Sequence, residues 1–368
     1  MLRRRAPWIA VLPLLAPACE LFGLGTIYCD RSDAFCPSGF TCNTDGICEG
    51  HGWNPFAPPP PPPPQHPCEV ERCGVMPDSP TQTCINTSSA IVDCPAEGRA
   101  LHGQDGNYLL DPPACEEQGN SVRDLVTGLY WQRDLDSTER SWNQATATCA
   151  SLTTDGRDWR LPSVRELVSM LDYGKRSSRD RDVLIDTARC FPTPSIDTFW
   201  SADRSFDLPW YVDLQGGEAR VDTSLSGNER GAWCASGPDL DLPRPRYSSG
   251  LWTDDQSGLQ WQRASSGTMN WELGLQYCED SSDGGLLDWR LPSIKELETL
   301  FQRGEDTGLA LDLRPELTLG DHVYWSSTPQ LRGYGYGAWF VSYANTQFAA
   351  STLGSSLHVR CVRGPVIP

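Results

Sequence analysis

The chain has 368 residues, a formal net charge of −18, 15 cysteines, 30 prolines and 14 tryptophans. At roughly 100–200 residues per domain its length fits about two domains, and 39% hydrophobic content with so many tryptophans excludes a wholly disordered chain. The acidic excess, with only Lys175 and Lys295 beside the arginines, argues against nucleic-acid binding, and the cysteine count excludes an ordinary cytosolic enzyme.

Met1-Leu-Arg-Arg-Arg5 is a basic start, and Ala6 to Ala18 is mostly apolar. This describes a secretory signal peptide over 1–18, too short to span a bilayer. Leu15-Ala-Pro-Ala-Cys19 resembles a bacterial lipobox, which makes Cys19 the expected lipidated residue and the lipid the only membrane contact. Cys29, Cys36, Cys42 and Cys48 follow at spacings unlike zinc knuckles, so residues 19–50 are expected to form a small lipid-anchored module with two disulfides. Pro58 to Pro64 is an unbroken proline run within a linker over 51–67, an extended polyproline spacer. Residues 68–118 lack periodicity and carry five cysteines, which reads as a disulfide-tied connector.

From about residue 120 the chain repeats. Thr127-Gly-Leu-Tyr-Trp-Gln-Arg133 matches Ser257-Gly-Leu-Gln-Trp-Gln-Arg263, and Asp158-Trp-Arg-Leu-Pro-Ser163 matches Asp288-Trp-Arg-Leu-Pro-Ser293. Phe199-Trp-Ser201 matches Tyr324-Trp-Ser326. The offset of 125–130 residues means tandem domains, expected at 119–237 and 246–364, because solenoid repeats are far shorter. Each copy predicts an aromatic strand, then a helix opening at Ser141 or Asn270. A second helix follows, opened by the capping boxes Ser163-Val-Arg-Glu166 and Ser293-Ile-Lys-Glu296. Strands follow, around Trp210 to Leu214 and Arg230 to Cys234 in copy one, and around Ala338 to Tyr343 and Leu357 to Arg363 in copy two. One strand, two helices and several strands make an α+β fold. Cys149 and Cys278 sit on the first helices and Cys234 and Cys361 on the last strands, which offers one long-range disulfide per copy. Cys190 then pairs within the connector set, with Cys115 the candidate.

These motifs, with the closing Val359-Arg-Cys-Val-Arg363 of copy two, resemble the Lcl C-terminal domain family, a domain of unknown function. Arg-Leu-Pro-Ser-x-x-Glu-Leu is also similar to a segment of the formylglycine-generating enzymes. The resemblance implies a C-type-lectin-like fold in each copy, with a disulfide from first helix to last strand. It also implies glycan binding, which in the name-giving adhesin uses basic surfaces. Here 120–236 and 246–368 carry −4 and −5, which argues against sulfated glycans. The calcium motifs of sugar-binding C-type lectins are absent, so neither metal nor cofactor is expected.

Asp158, Trp159, Arg160 and Glu166, with Asp288, Trp289, Arg290 and Glu296, are expected to be structural: Trp in the core, Glu in the capping box, Asp with Arg at the turn. Ser201 and Ser326 lie beside tryptophans, but copy one has no histidine, so a shared Ser/His/acid triad is impossible. Asp280-Ser-Ser-Asp283-Gly284 reads as a solvated turn rather than a cation loop. Tyr334 and Tyr336, in a Gly-rich loop, with Trp339 and the copy-one Trp210, are the candidate ligand-binding aromatics. The expectation is a non-catalytic surface lipoprotein that binds an extracellular glycan or an envelope protein.

Overall fold

The computed structural model divides into two units, Met1–Pro64 and Gln65–Pro368. It describes four short strands between 19 and 50 and residues 76–364, apart from 81, 176–182, 186–190, 225–226, 239, 241–245, 249–250, 255–256, 263, 302–322, 332–336 and 344–346. The expected signal peptide and proline run lie outside the described residues. In the first unit β1 (Cys19–Phe22) pairs antiparallel with β2 (Thr26–Cys29), and β3 (Phe40–Cys42) with β4 (Cys48–Gly50).

The second unit opens with a hairpin of β5 (Cys84–Ile85) and β6 (Ile91–Val92), closed by the Cys84–Cys94 disulfide. Copy one then runs β7 (Cys115–Gln118), β8 (Ser121–Asp124), β9 (Tyr130–Gln132), α1 (Trp142–Ala150), α2 (Val164–Ser169), β10 (Thr198–Ser205), β11 (Leu208–Asp213), β12 (Glu218–Val221) and β13 (Ala235–Ser236). Copy two runs β14 (Arg246–Ser248), β15 (Leu251–Thr253), β16 (Gln260–Trp261), β17 (Thr268–Met269), α3 (Trp271–Glu279), α4 (Ile294–Glu298), β18 (Val323–Gln330), β19 (Gly337–Ser342), β20 (Gln347–Ser351), β21 (Leu357–His358) and β22 (Val362–Arg363). The mixture is mostly sheet. Each copy has one four-stranded sheet, ordered β13-β9-β8-β7 and β14-β15-β16-β22, and a second sheet, ordered β10-β11-β12 in copy one and β17-β21-β18-β19-β20 in copy two. Among the described residues no helix is long and apolar enough to cross a membrane.

The repeated elements form for repeated reasons. The β8–β9 turn is tied by the Asp124 carboxylate, which accepts from Val126 and Thr127 amides at 2.8 and 3.2 Å. Gly128 completes it at φ 78, and Gly258 takes φ 72 at the same place in copy two. Capping boxes start α1, α2 and α4, while the Asn270 side chain caps α3. α2 and α4 then stop early. Ser169 and Thr299 hydroxyls donate back to the Glu166 and Glu296 carbonyls at 2.7 Å, competing with another helical turn.

Three features differ from the expectation. A first hairpin strand, β7 or β14, precedes the aromatic strand in each copy; Cys-Glu-Glu-Gln and Arg-Tyr-Ser are too short and polar to signal one. The expected last strand is split between the two sheets of its copy. In copy two, His358 lies beside Tyr324, whereas Val362 pairs with Trp261. The connector, finally, expected only as a disulfide-tied segment, also supplies core residues. Ile85 and Leu101 are buried in the same apolar cluster as Trp271, Leu275 and Trp325 of copy two.

The two copies share one core. Leu167, Val168 and Leu171 after the α2 start pack in a single cluster with Ile294, Leu297, Leu300, Trp339 and Phe348 of copy two. Tyr173 meets Trp339 edge-on at 5.3 Å and donates its hydroxyl to the Gly217 carbonyl. α2 is therefore buried all round and α4 nearly so, their charged residues included.

Candidate functional site

The repeated charged residues lie where each copy turns from extended chain into its second helix. Arg160 grips Glu166 with both guanidinium ends, Nη1–Oε2 at 2.6 Å and Nη2–Oε1 at 2.5 Å. Glu166 is fully buried and also accepts from the Ser163 amide at 2.8 Å. Arg290 and Glu296 repeat this geometry, again at 2.6 and 2.5 Å. A bidentate pair closing a capping box fixes the strand-to-helix turn. The aspartates behave differently from the expected Asp–Arg pinning. Asp158 is exposed, and Asp288 accepts from Arg363 of the last strand at 2.6 Å. The tryptophans hold loops through their indole N–H: Trp159 to the Thr154 carbonyl and Trp289 to the Asp283 carbonyl.

A second charged cluster lies where the connector meets both copies. Lys295, on α4, is 2% exposed and donates to the Ser169 carbonyl at 3.0 Å and the Asp78 carbonyl at 3.3 Å. Asp105 accepts from the Thr328 hydroxyl at 2.8 Å. Tyr108 donates to Glu279 at 2.5 Å, and its ring lies 5.5 Å from the Arg290 guanidinium. The cavity between them, lined by Asp78, Asp105, Arg290, Lys295 and Glu296, holds about 30 Å³. That is room for one or two waters, not for a sugar ring.

Burial dominates the electrostatics of this cluster. It pushes Asp78 up, with help from Asp105 and Glu296, and raises Asp105 to about 6. It lowers Lys295 to about 8, against the pull of the surrounding aspartates. The fold therefore favours protonated Asp105. That contribution is complete below the ordinary value of 3.8 and is lost as pH rises through about 6. For Lys295 the fold favours the neutral amine, a contribution complete above 10.5 and lost as pH falls through about 8. Between pH 7 and 5 only the acids change, so acidification should tighten the connector by roughly 1 kcal/mol. Hydrogen exchange over 97–110 should slow from pH 7 to 5 after correction for intrinsic rates, and Asp105→Asn should flatten that trend. Equal slopes in the two proteins would remove Asp105 as the cause.

Of the expected ligand-binding aromatics, the two described tryptophans are buried. Trp210 is 2% and Trp339 3% exposed, because both face the shared core; neither offers a ring to a ligand. Tyr334 and Tyr336 lie outside the described residues. Ser201 and Ser326 are fully buried, and Ser326 donates to the Trp339 carbonyl at 2.8 Å. Among the described residues, no three His, Cys, Asp or Glu side chains gather as a metal site. Cys149–Cys234 and Cys278–Cys361 are bonded, joining α1 and α3 to the chain just before β13 and β22. Cys115 is also disulfide-bonded, while Cys190 lies outside the described residues and the side chain of Cys19 is not described.

The family model of the Lcl C-terminal domain matches residues 120–235 and again 250–363, well over half of the chain. The chain belongs to the Lcl C-terminal domain family. No curated protein matches it. The two Lcl C-terminal domains are joined by a pair of residues that sequence reading passed over. Arg165 and Lys295 are the third residues of the two capping boxes. The Arg165 guanidinium donates to the Thr299 carbonyl at 3.2 Å, the Phe301 carbonyl at 2.6 Å and the Leu240 carbonyl at 2.9 Å. Lys295 donates in turn to Ser169, at the end of α2. Each domain thus places a cation on the carbonyl-rich end of the other's helix, where the helix dipole favours it. The available signal was a basic residue at the same position of both repeats, otherwise read as a solvated helix side.

Proposed function

We propose that this chain is a non-catalytic surface lipoprotein whose two fused domains form one recognition head for an extracellular glycan or an envelope protein. One observation carries the reading: the buried charged residues shared by both copies hold the fold. Arg160 with Glu166, and Arg290 with Glu296, close capping boxes; Arg165 and Lys295 clamp the domains together. Differences between the copies are left to carry recognition. The disulfides from the first helix of each copy to the chain just before its final strand support a C-type-lectin-like arrangement in each domain. The signal-like start, Cys19 and the proline run support export and a lipid anchor on a stalk. A structural role in the envelope is the second reading, and the duplicated fold suits it equally.

Mature protein carried on its anchor should retain one class of glycan on an array, or cross-link to one envelope protein in cells. A well-folded preparation that retains neither at high concentration would count against recognition. An enzyme related to the formylglycine-generating group needs a reactive thiol. Among the described residues of the second unit every cysteine is disulfide-bonded, so mass spectrometry should find no free thiol in the head.

A further inference from the structure

The two domains differ most on one face. In copy two the connector covers it: Ile85 and Leu101 join the cluster of Trp271 and Leu331, and Asp105 takes the Thr328 hydroxyl. Trp271 is then fully buried, Leu331 is 2% exposed, and the Arg290 side chain is 7% exposed.

The strand registers fix the equivalent positions in copy one. Arg204 opposes Pro209 as Pro329 opposes Ala338, so Asp203 stands for Thr328 and Phe206 for Leu331. The same face there is open. Phe206 is 66% exposed, the Arg160 side chain is 37% exposed, and Trp142 is half-buried under the Arg204 guanidinium, 5.0 Å from its ring, where Trp271 is fully buried. Phe206 also occupies the first place of a two-residue turn at φ 54, a left-handed conformation that disfavours a bulky aromatic. A costly, exposed aromatic has no packing reason to be there.

We propose that this face of copy one docks a polypeptide segment of another protein, laid across it as the connector lies across copy two. The proposal rests on the recognition reading above and names its partner class. The occupant brings an apolar side chain to Phe206, and the substitution at 203 specifies the rest. In copy two the Thr328 hydroxyl accepts from the Ile294 amide and donates to Asp105. In copy one the Asp203 carboxylate accepts from the Val164 amide at 2.6 Å, and an ionised carboxylate cannot donate. A carboxylate placed like Asp105 would be repelled, whereas a lysine, arginine or amide would be held. The same difference directs the chain's own connector to copy two and keeps a second molecule's connector off copy one.

The test is a titration of the full-length mature protein with two synthetic peptides spanning 82–110, each closed by the Cys84–Cys94 disulfide. One has the native sequence and the other carries Asp105→Lys. The lysine peptide should bind at least about tenfold more tightly, a difference of about 1.4 kcal/mol. Asp203→Thr should reverse that preference, and Phe206→Ser should weaken both peptides about tenfold without moving the melting temperature. Failure of both peptides to bind both the native and Asp203→Thr proteins overturns the proposal. So does binding that ignores both substitutions, or a dimer in sedimentation that Phe206→Ser dissolves, which would make a second copy the occupant. Glycan retention on the array together with silent peptides would leave the recognition reading standing and remove only this surface.

Discussion

Arg165→Met should destabilise the head by about 3–5 kcal/mol and split its thermal unfolding into two transitions. The guanidinium is buried and donates to carbonyls from Leu240, Thr299 and Phe301. Methionine fills similar volume but donates nothing, so those carbonyls lose their partner in a place water does not reach. A buried unsatisfied acceptor costs about 1–3 kcal/mol, and the losses partly share relaxation. Two transitions are expected because Arg165 ties copy one to the end of α4 in copy two. Lys295→Met should cost less. Burial already holds the amine down to about 8, so removing it also removes a desolvated charge. Calorimetry of the two variants decides the order. A single transition with unchanged midpoint in Arg165→Met would mean that the shared apolar cluster alone joins the copies.

The repeat, the helix starts and the long disulfides were legible because each depends on local chemistry. Ser163-x-x-Glu166 caps a helix wherever it stands, and Cys149 and Cys278 fall on equivalent helical positions. The fate of Trp210 and Trp339 was not legible, because their burial comes from the other copy. An alternating aromatic on a strand reads the same whether its face meets solvent or a second domain. The connector was illegible for a related reason. Ile85 and Leu101 are isolated apolar residues among turn formers, and only the copy-two surface they cover gives them a core. The candidate docking face needed both levels. Position 203 against 328 can be aligned from sequence, but its meaning required seeing Asp105 on Thr328.

Removing either long disulfide should cost about 4.5 kcal/mol, more than removing Cys84–Cys94. The bridges Cys149–Cys234 and Cys278–Cys361 close separations of 85 and 83 residues, against 10 for Cys84–Cys94. Loop-closure entropy gives about 4.5 kcal/mol for the long loops and about 2.7 kcal/mol for the short one. Cys149→Ser with Cys234→Ser should therefore lower the melting temperature by roughly 10 °C, and the copy-two pair by a similar amount. Copy two carries one further support that copy one lacks, the connector packed across Trp271 and Leu331. Its face should accordingly stay ordered when its disulfide is removed. In copy one, loss of the bridge frees the end of α1, the helix that begins with Trp142, so peptide binding at Phe206 should weaken along with stability. Equal thermal losses with binding preserved in the copy-one variant would mean that the disulfide stabilises the domain without shaping its open face.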